Sequence, residues 1–238
     1  ILWNRVIERF KGVCQKAYDN DIKILIDAEE VFVQKAIDDL ALLMMRKFNR
    51  EKPIVFNTVQ MYRWDRLKYL SDLLNDKANN GLIFGFKLVR GAYMEKERLI
   101  AKSLNVKSPI CITKNETDSN FNSGLDFVFN NLDRISLVCG SHNENSVIKI
   151  MEIMKNKNLK VSDDKVWFGQ LFGMSDNVTF NLAKMGYNTF KILPFGPVRN
   201  LMPYLIRRAE ENTSVKGQTG RELQLILNER RRRKENNS

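Results

Sequence analysis

Six short apolar runs punctuate the chain. Each ends in polar or glycine-rich residues, and amphipathic stretches separate them. The runs are Ile22–Ile26 into Asp27-Ala28-Glu29-Glu30, Ile54–Phe56 into Asn57-Thr58-Val59-Gln60, and Ile83–Val89 into Arg90-Gly91-Ala92-Tyr93. Then come Ile135–Val138 into Ser141-His142-Asn143, Val166–Phe168 into Gly169-Gln170, and Phe190–Leu193 into Pro194-Phe195-Gly196-Pro197. Strands that alternate with helices build parallel sheets. In a parallel barrel the strand C-termini share the face that carries the chemistry. Six polar clusters at six strand ends therefore predict one shared site.

The stretches between the runs read as helices. The first runs to about Tyr18, with Trp3, Val6, Ile7, Phe10, Val13 and Ala17 at helical spacing. The second, Val31–Phe48, sets Val33, Ala36, Ile37, Leu40, Met44 and Phe48 on one stripe. The third, Tyr62–Asn75, turns Leu67, Leu70, Leu73 and Leu74 to the core and closes at Asn79-Asn80-Gly81. The segment Glu95–Asn131 is longer: a loop at Lys107-Ser108-Pro109-Ile110 precedes an apolar pattern through Leu125, Phe127 and Val128. Further helices are expected over Glu144–Lys155, Asn177–Met185 (stopped by Gly186), Arg199–Asn212 and Gly220–Arg231.

Composition narrows the class. The 238 residues, 43% hydrophobic, support one α/β domain over 1–238. A complete eightfold barrel typically needs about 250 residues. Ile1 is not a natural start and the chain opens inside a helix, so upstream sequence with room for a targeting segment is expected. Three scattered cysteines without a C-x-x-C argue against a disulfide framework or a zinc site and suit a reducing compartment. Cys139 reads as a small core residue. No apolar run approaches a membrane-spanning length. The formal charge is +11. Part of it is the run Arg230-Arg231-Arg232-Arg233-Lys234, read most simply as a solvated terminus and alternatively as a contact for a membrane surface or phosphate. No aromatic-basic motif accompanies the dispersed cations, so nucleic acid is not an expected partner. The chain lacks G-x-S-x-G, G-x-G-x-x-G and the phosphate-loop motif.

Four constellations remain. Arg207 and Arg208 enter from an apolar segment, with Glu211 one helical turn on; the pair suits a bidentate grip on a carboxylate, or it is an ordinary exposed ion-pair face. Asp27 and Glu29 can pair with cations at a barrel mouth or cap the helix that follows. Lys87 and Arg90 bracket Leu88-Val89; alternation sends them to opposite faces unless Gly91 bends the strand end, and the cluster suits an anionic group close to the backbone. His142, the single histidine, is a structural residue or a contact; it makes no metal set.

These motifs resemble the proline dehydrogenase family, flavoenzymes that oxidise proline, in its eukaryotic mitochondrial type. The resemblance rests on Ile26-Asp27-Ala28-Glu29-Glu30, Asn57-Thr58-Val59-Gln60-Met61-Tyr62, Lys87-Leu88-Val89-Arg90-Gly91-Ala92-Tyr93-Met94, Ser141-His142-Asn143, Gly169-Gln170-Leu171-Phe172-Gly173-Met174, Pro194-Phe195-Gly196-Pro197-Val198 and Pro203–Asn212. It implies a distorted (βα)8 TIM-like barrel with FAD across the strand C-termini. Arg207 and Arg208 would bind the carboxylate of proline or a related cyclic amino acid, with Glu211 behind them. Tyr204, Leu171 and Ile192 would line the substrate pocket. Lys87, Asp27 and Tyr93 would form the catalytic edge. Gln60, Lys87, Arg90, Gly91, Ala92, His142 and Asn143 would hold FAD, and no metal is implied. The resemblance also implies L-proline oxidation to 1-pyrroline-5-carboxylate, a quinone acceptor and the mitochondrial matrix at the inner membrane, where a peripheral contact is expected.

Two departures stand out. Where the family usually has Tyr after the cation of the last strand, Ile192 follows Lys191, which brings hydroxyproline into consideration. The family's first two strands would lie before Ile1, so a fragment of a longer protein is expected; the competing reading is an inactive barrel remnant acting as a basic binding module.

Overall fold

In a computed structural model the described residues are 2–214 and 227–235, and at Arg207, at Glu210 and over 211–214 only the backbone is described. The chain divides into two compact units, Ile1–Ile192 and Leu193–Ser238. In the first, α1 (Leu2–Asp19), β1 (Ile24–Ile26), α2 (Val31–Phe48), β2 (Val55–Gln60), α3 (Arg66–Asn75) and β3 (Phe84–Val89) lead into α4 (Met94–Ser103) and α5 (Lys114–Phe129). Then follow β4 (Ile135–Gly140), α6 (Glu144–Asn156), β5 (Val166–Leu171), α7 (Asp176–Lys184) and β6 (Thr189–Ile192). In the second unit α8 spans Val198–Ser214, and residues 227–235 are helical. The final helix expected from Gly220 therefore falls partly outside the described residues.

The six strands lie side by side in chain order, every neighbouring pair parallel. That is the winding of a parallel α/β barrel wall. Register sorts the side chains into two faces. Leu25, Phe56 and Gly85 pair across one face, as do Thr58, Lys87, Val138 and Trp167. The other face carries Val55, Val59, Phe84, Phe86, Leu88, Leu137 and Phe168, all buried in the core beneath the helices. The sheet curls toward its first face. The Lys23 ammonium, just before β1, lies 4.9 Å from the ring of Trp167 on β5.

Most of the expected helices are present, with informative shifts. The third begins at Arg66 rather than Tyr62, because Met61 and Tyr62 prolong the strand ladder by donating to Val89 and Arg90 carbonyls. Of the expected stripe on α2, Leu40, Met44 and Phe48 are buried and Val33 and Ile37 half-buried, whereas Ala36 is exposed; outside it, Gln34 and Asp38 are buried. They belong to a buried polar network. Asp38 accepts from Gln34, from Asn57 of β2 and from Arg66 of α3, each within 2.9 Å. Leu70 is fully buried, as the pattern predicted. Gly186 ends α7 with φ 85°, a left-handed stop. Cys139 is a free core thiol, pushed up to about 12 by burial.

Asn49, fully buried after α2, ties three segments. Its Oδ1 accepts from the Ile54 and Val55 amides, and its Nδ2 donates to the Val55 and Ile83 carbonyls. Asn49→Ala strands two buried donors and two acceptors, so it should cost about 3 kcal/mol in a urea melt. Asp65 adds a pH dependence. Burial pushes its carboxyl up, but hydrogen bonds from Arg66 and Arg63 overcome that and hold it at about 2, against an ordinary 3.8. A carboxyl with a lowered folded-state pKa contributes stability that is complete above the ordinary value and lost as pH falls through the folded one. The melting temperature should therefore fall between about pH 4 and pH 2, and Asp65→Asn should shrink that acid-side loss.

Candidate active site at the strand C-termini

Lys87 is the sharpest feature of the rim. Its position on β3 aims it at the inner face, and it is only 5% exposed. A buried ammonium is costly unless an anion meets it. Asp27, just past the end of β1, supplies that anion through an ion pair, with its own carboxylate largely in solvent. Among the described residues, two of the three Lys87 N–H bonds have no acceptor. Gln60 ends β2 between the two strands, buried; its amide donates to the Glu29 carbonyl at 2.8 Å and accepts from the Ala92 amide at 3.4 Å. Tyr93 stands at the N-cap of α4 and donates its hydroxyl to Glu29 Oε2 at 2.6 Å. Asp27, Gln60, Lys87, Ala92 and Tyr93 thus form one cluster. The capping role open to Asp27 and Glu29 is not theirs. Glu97 of α4, which sequence reasoning missed, takes the Val31 amide at the start of α2.

Arg90 belongs to a second cluster. It does not converge with Lys87, because β3 ends at Val89 and the guanidinium leads away to α5 and α6. It binds Asp118 at 2.6 Å, Ser141 at 3.1 Å and Ser146 at 3.0 Å, and lies 4.5 Å from the Phe121 ring centroid. Among the described residues, two of its five N–H bonds have no acceptor. Gly91 answers to a neighbouring ring: with φ 133°, a Cβ there would sit 2.5 Å from Tyr62. Asn143 is the N-cap of α6, its side chain accepting from the Ser146 amide. His142 lies beside it, half-buried, at the β4–α6 junction.

The far side of the rim is apolar. Leu171 and Ile192 end β5 and β6 and pair directly in register. Lys191 turns to the other face and latches the β5–α7 connection by the Met174 carbonyl at 2.5 Å and Asp176 at 2.7 Å. In the second unit, the Arg208 guanidinium lies 5.3 Å from the Tyr204 ring on α8. The side chains of Arg207 and Glu211 lie outside the described residues. Among the described residues no cluster of three His, Cys, Asp or Glu is placed to hold a metal, and no helix is long and apolar enough to cross a membrane.

Residues 2–221 match the family model described as proline dehydrogenase. The chain belongs to the proline dehydrogenase family. It is 37% identical to Drosophila melanogaster proline dehydrogenase 1, mitochondrial, over 98% of this chain and 36% of that protein. It is 36% identical to Xenopus laevis hydroxyproline dehydrogenase, over 95% of this chain and 50% of that protein. The chain thus spans between a third and a half of these two relatives. A solved structure of proline utilization A from Bdellovibrio bacteriovorus, inactivated by N-propargylglycine, superposes with a TM-score of 0.81 at 23% identity, over 90% of this chain and 22% of that one. That likeness carries the fold, a distorted barrel of the family.

The crowding at Gly91 gives a direct check. Gly91→Ala should destabilise the fold by about 2–4 kcal/mol, because strain and a ring clash coincide. A denaturation midpoint equal to that of the unaltered protein would show that the strand end yields instead.

Proposed function

We propose that the protein containing this chain oxidises L-proline to 1-pyrroline-5-carboxylate in proline catabolism, with FAD as its cofactor and a quinone as final electron acceptor. The observation that carries this reading is the buried Lys87 ammonium with its two uncommitted N–H bonds, at the rim of a proline dehydrogenase barrel. The rim suits a flavin. Lys87 can donate to an electron-rich ring edge, and Arg90 and Gln60 each retain N–H bonds for the rest of the cofactor. Bound FAD would supply the redox chemistry, accepting a hydride from the amino-acid carbon next to nitrogen.

The residues of this chain then do the positioning. Arg207 and Arg208 would grip the carboxylate, for which two adjacent guanidiniums are well matched, with Glu211 and Tyr204 contributed by the same helix. That grip fixes the substrate's reacting carbon in one geometry. Lys87 places positive charge where negative charge develops on the reduced ring, and Asp27 holds the ammonium in place. Tyr93, Leu171 and Ile192 wall the pocket. His142 and Asn143, with Gly91 and Ala92, would help to hold the cofactor. Mitochondrial placement accords with the name of the fly relative, and a contact at the matrix side of the inner membrane would suit the formal charge of +11. The basic run lies in the helical stretch 227–235, where Arg232 and Arg233 both bind Glu229.

A second reading, 4-hydroxyproline oxidation, is favoured by Ile192 on the inner face and by the likeness to the frog enzyme. An aliphatic side chain leaves room that a tyrosine would fill.

The holoprotein should purify yellow, and proline should bleach its visible flavin bands under anaerobic conditions. Preferential bleaching by hydroxyproline would establish the second reading; a colourless full-length protein would support an inactive module. Arg207→Met should raise KM for the amino acid by roughly a hundredfold while FAD stays bound, given the strength of charge-assisted bidentate contacts. Loss of FAD instead would remove Arg207 from the substrate grip.

A further inference from the structure

Four ties run from β3, Tyr93 and α4 to the stretch 27–31 that joins β1 to α2. Lys87 pairs with Asp27. The Tyr93 hydroxyl donates to Glu29 at 2.6 Å, Lys96 pairs with Glu30 at 2.5 Å, and Glu97 accepts from the Val31 amide at 2.7 Å. Gln60 lies beneath them and bonds both connections. The ties are reciprocal. Glu30, the N-cap of α2, makes no side-chain cap bond of its own, so α4 provides the acceptor through Glu97. The α2 connection in turn provides the acceptor for Tyr93.

The burial of these groups separates their roles. Glu97 is 4% exposed. A carboxylate so deep needs a donor, and it finds one at the positive end of α2. It is the anchor of the clasp. Glu29 is exposed, and nothing about its burial requires it to be where it is. Its contact does one thing that packing does not. A tyrosine ring held only by packing can tilt about two side-chain bonds, whereas a fixed hydroxyl leaves it one orientation.

We propose that Glu29 is a positioning residue for Tyr93, fixing the ring that walls the amino-acid pocket, and that Glu97 is the buried anchor that keeps α2 and α4 close enough for that contact. The proposal rests on the proline reading for the identity of the ligand Tyr93 faces. Glu29 itself touches no substrate. Its influence travels through one hydrogen bond, so it should appear in the apparent affinity for the amino acid rather than in cofactor retention.

The test uses the flavin-loaded full-length protein. Glu29→Ala and Tyr93→Phe should each raise KM for proline roughly tenfold, with kcat changed by no more than about twofold. FAD retention and melting temperature should not move. The double variant should be no worse than either single one, because both remove the same bond. Glu29→Gln retains an acceptor oxygen and should restore most of the affinity. Effects that multiply in the double variant, or Glu29→Gln as impaired as Glu29→Ala, would overturn the proposal. A second readout is independent of substrate. Glu29→Ala should speed backbone hydrogen exchange across residues 93–97, and Glu97→Gln should leave exchange at Val31 slow. Unchanged exchange at 93–97 in Glu29→Ala would also overturn it. If proline fails to reduce the unaltered protein, the proline reading falls, and the exchange experiment still decides whether Glu29 fixes Tyr93.

Discussion

A lysine buried in a barrel wall must find an anion, and the rim of this protein is arranged around that requirement. Lys87 sits on β3, which has two strands on one side of it and three on the other. Its ammonium draws the β1 connection inward through Asp27. Three residues later on the same chain, Arg90 draws in β4, α5 and α6 through Ser141, Asp118 and Ser146. One strand therefore fixes the C-terminal mouth on both sides. The remaining connections are latched neighbour to neighbour. Gln170 donates to the Ser141 carbonyl and accepts from Thr179, and Lys191 holds the turn between β5 and α7.

These ties set geometry more than they set stability. Exposed ion pairs such as Lys96–Glu30 typically contribute about 1 kcal/mol or less. The stability of the fold rests instead on the apolar face of the sheet beneath the helices and on buried polar groups such as Asn49 and Asp38, where a stranded partner costs more. A rim stabilised by many weak, directional bonds can present uncommitted donors at Lys87 and Arg90 without the barrel depending on them.

The order of strands and the gathering of polar residues at their C-terminal ends were legible because both follow from hydrophobic period and from polar residues at the ends of apolar runs. Asp27, Gln60, Lys87 and Tyr93 stand out for that reason, and the structure groups them. The less legible features are those whose partners lie far away in sequence. Asp38 turns inward because Asn57 and Arg66 meet it, and Gln34 because it donates to Asp38 and accepts from the Glu29 amide, which no helical period announces. Glu97 reads as one more charge on an amphipathic helix, and only the N-terminus of α2, 66 residues earlier, gives it a role. Asn143 caps α6, and an Asn immediately before an amphipathic helical stretch is a capping signal available in the sequence. The start of α3 shifted because Met61 and Tyr62 answer to β3 rather than to their own periodicity.

The proposed oxidation would need positive charge near the electron-accepting ring, and Lys87 is a buried cation on the inner face of the wall. The most direct measurement is the anaerobic rate at which saturating proline bleaches the flavin in Lys87→Met. With FAD still bound and the melting temperature preserved, that rate should drop on the order of a hundredfold, the size of effect expected from removing one preorganised charge. A rate equal to that of the unaltered protein would contradict the account.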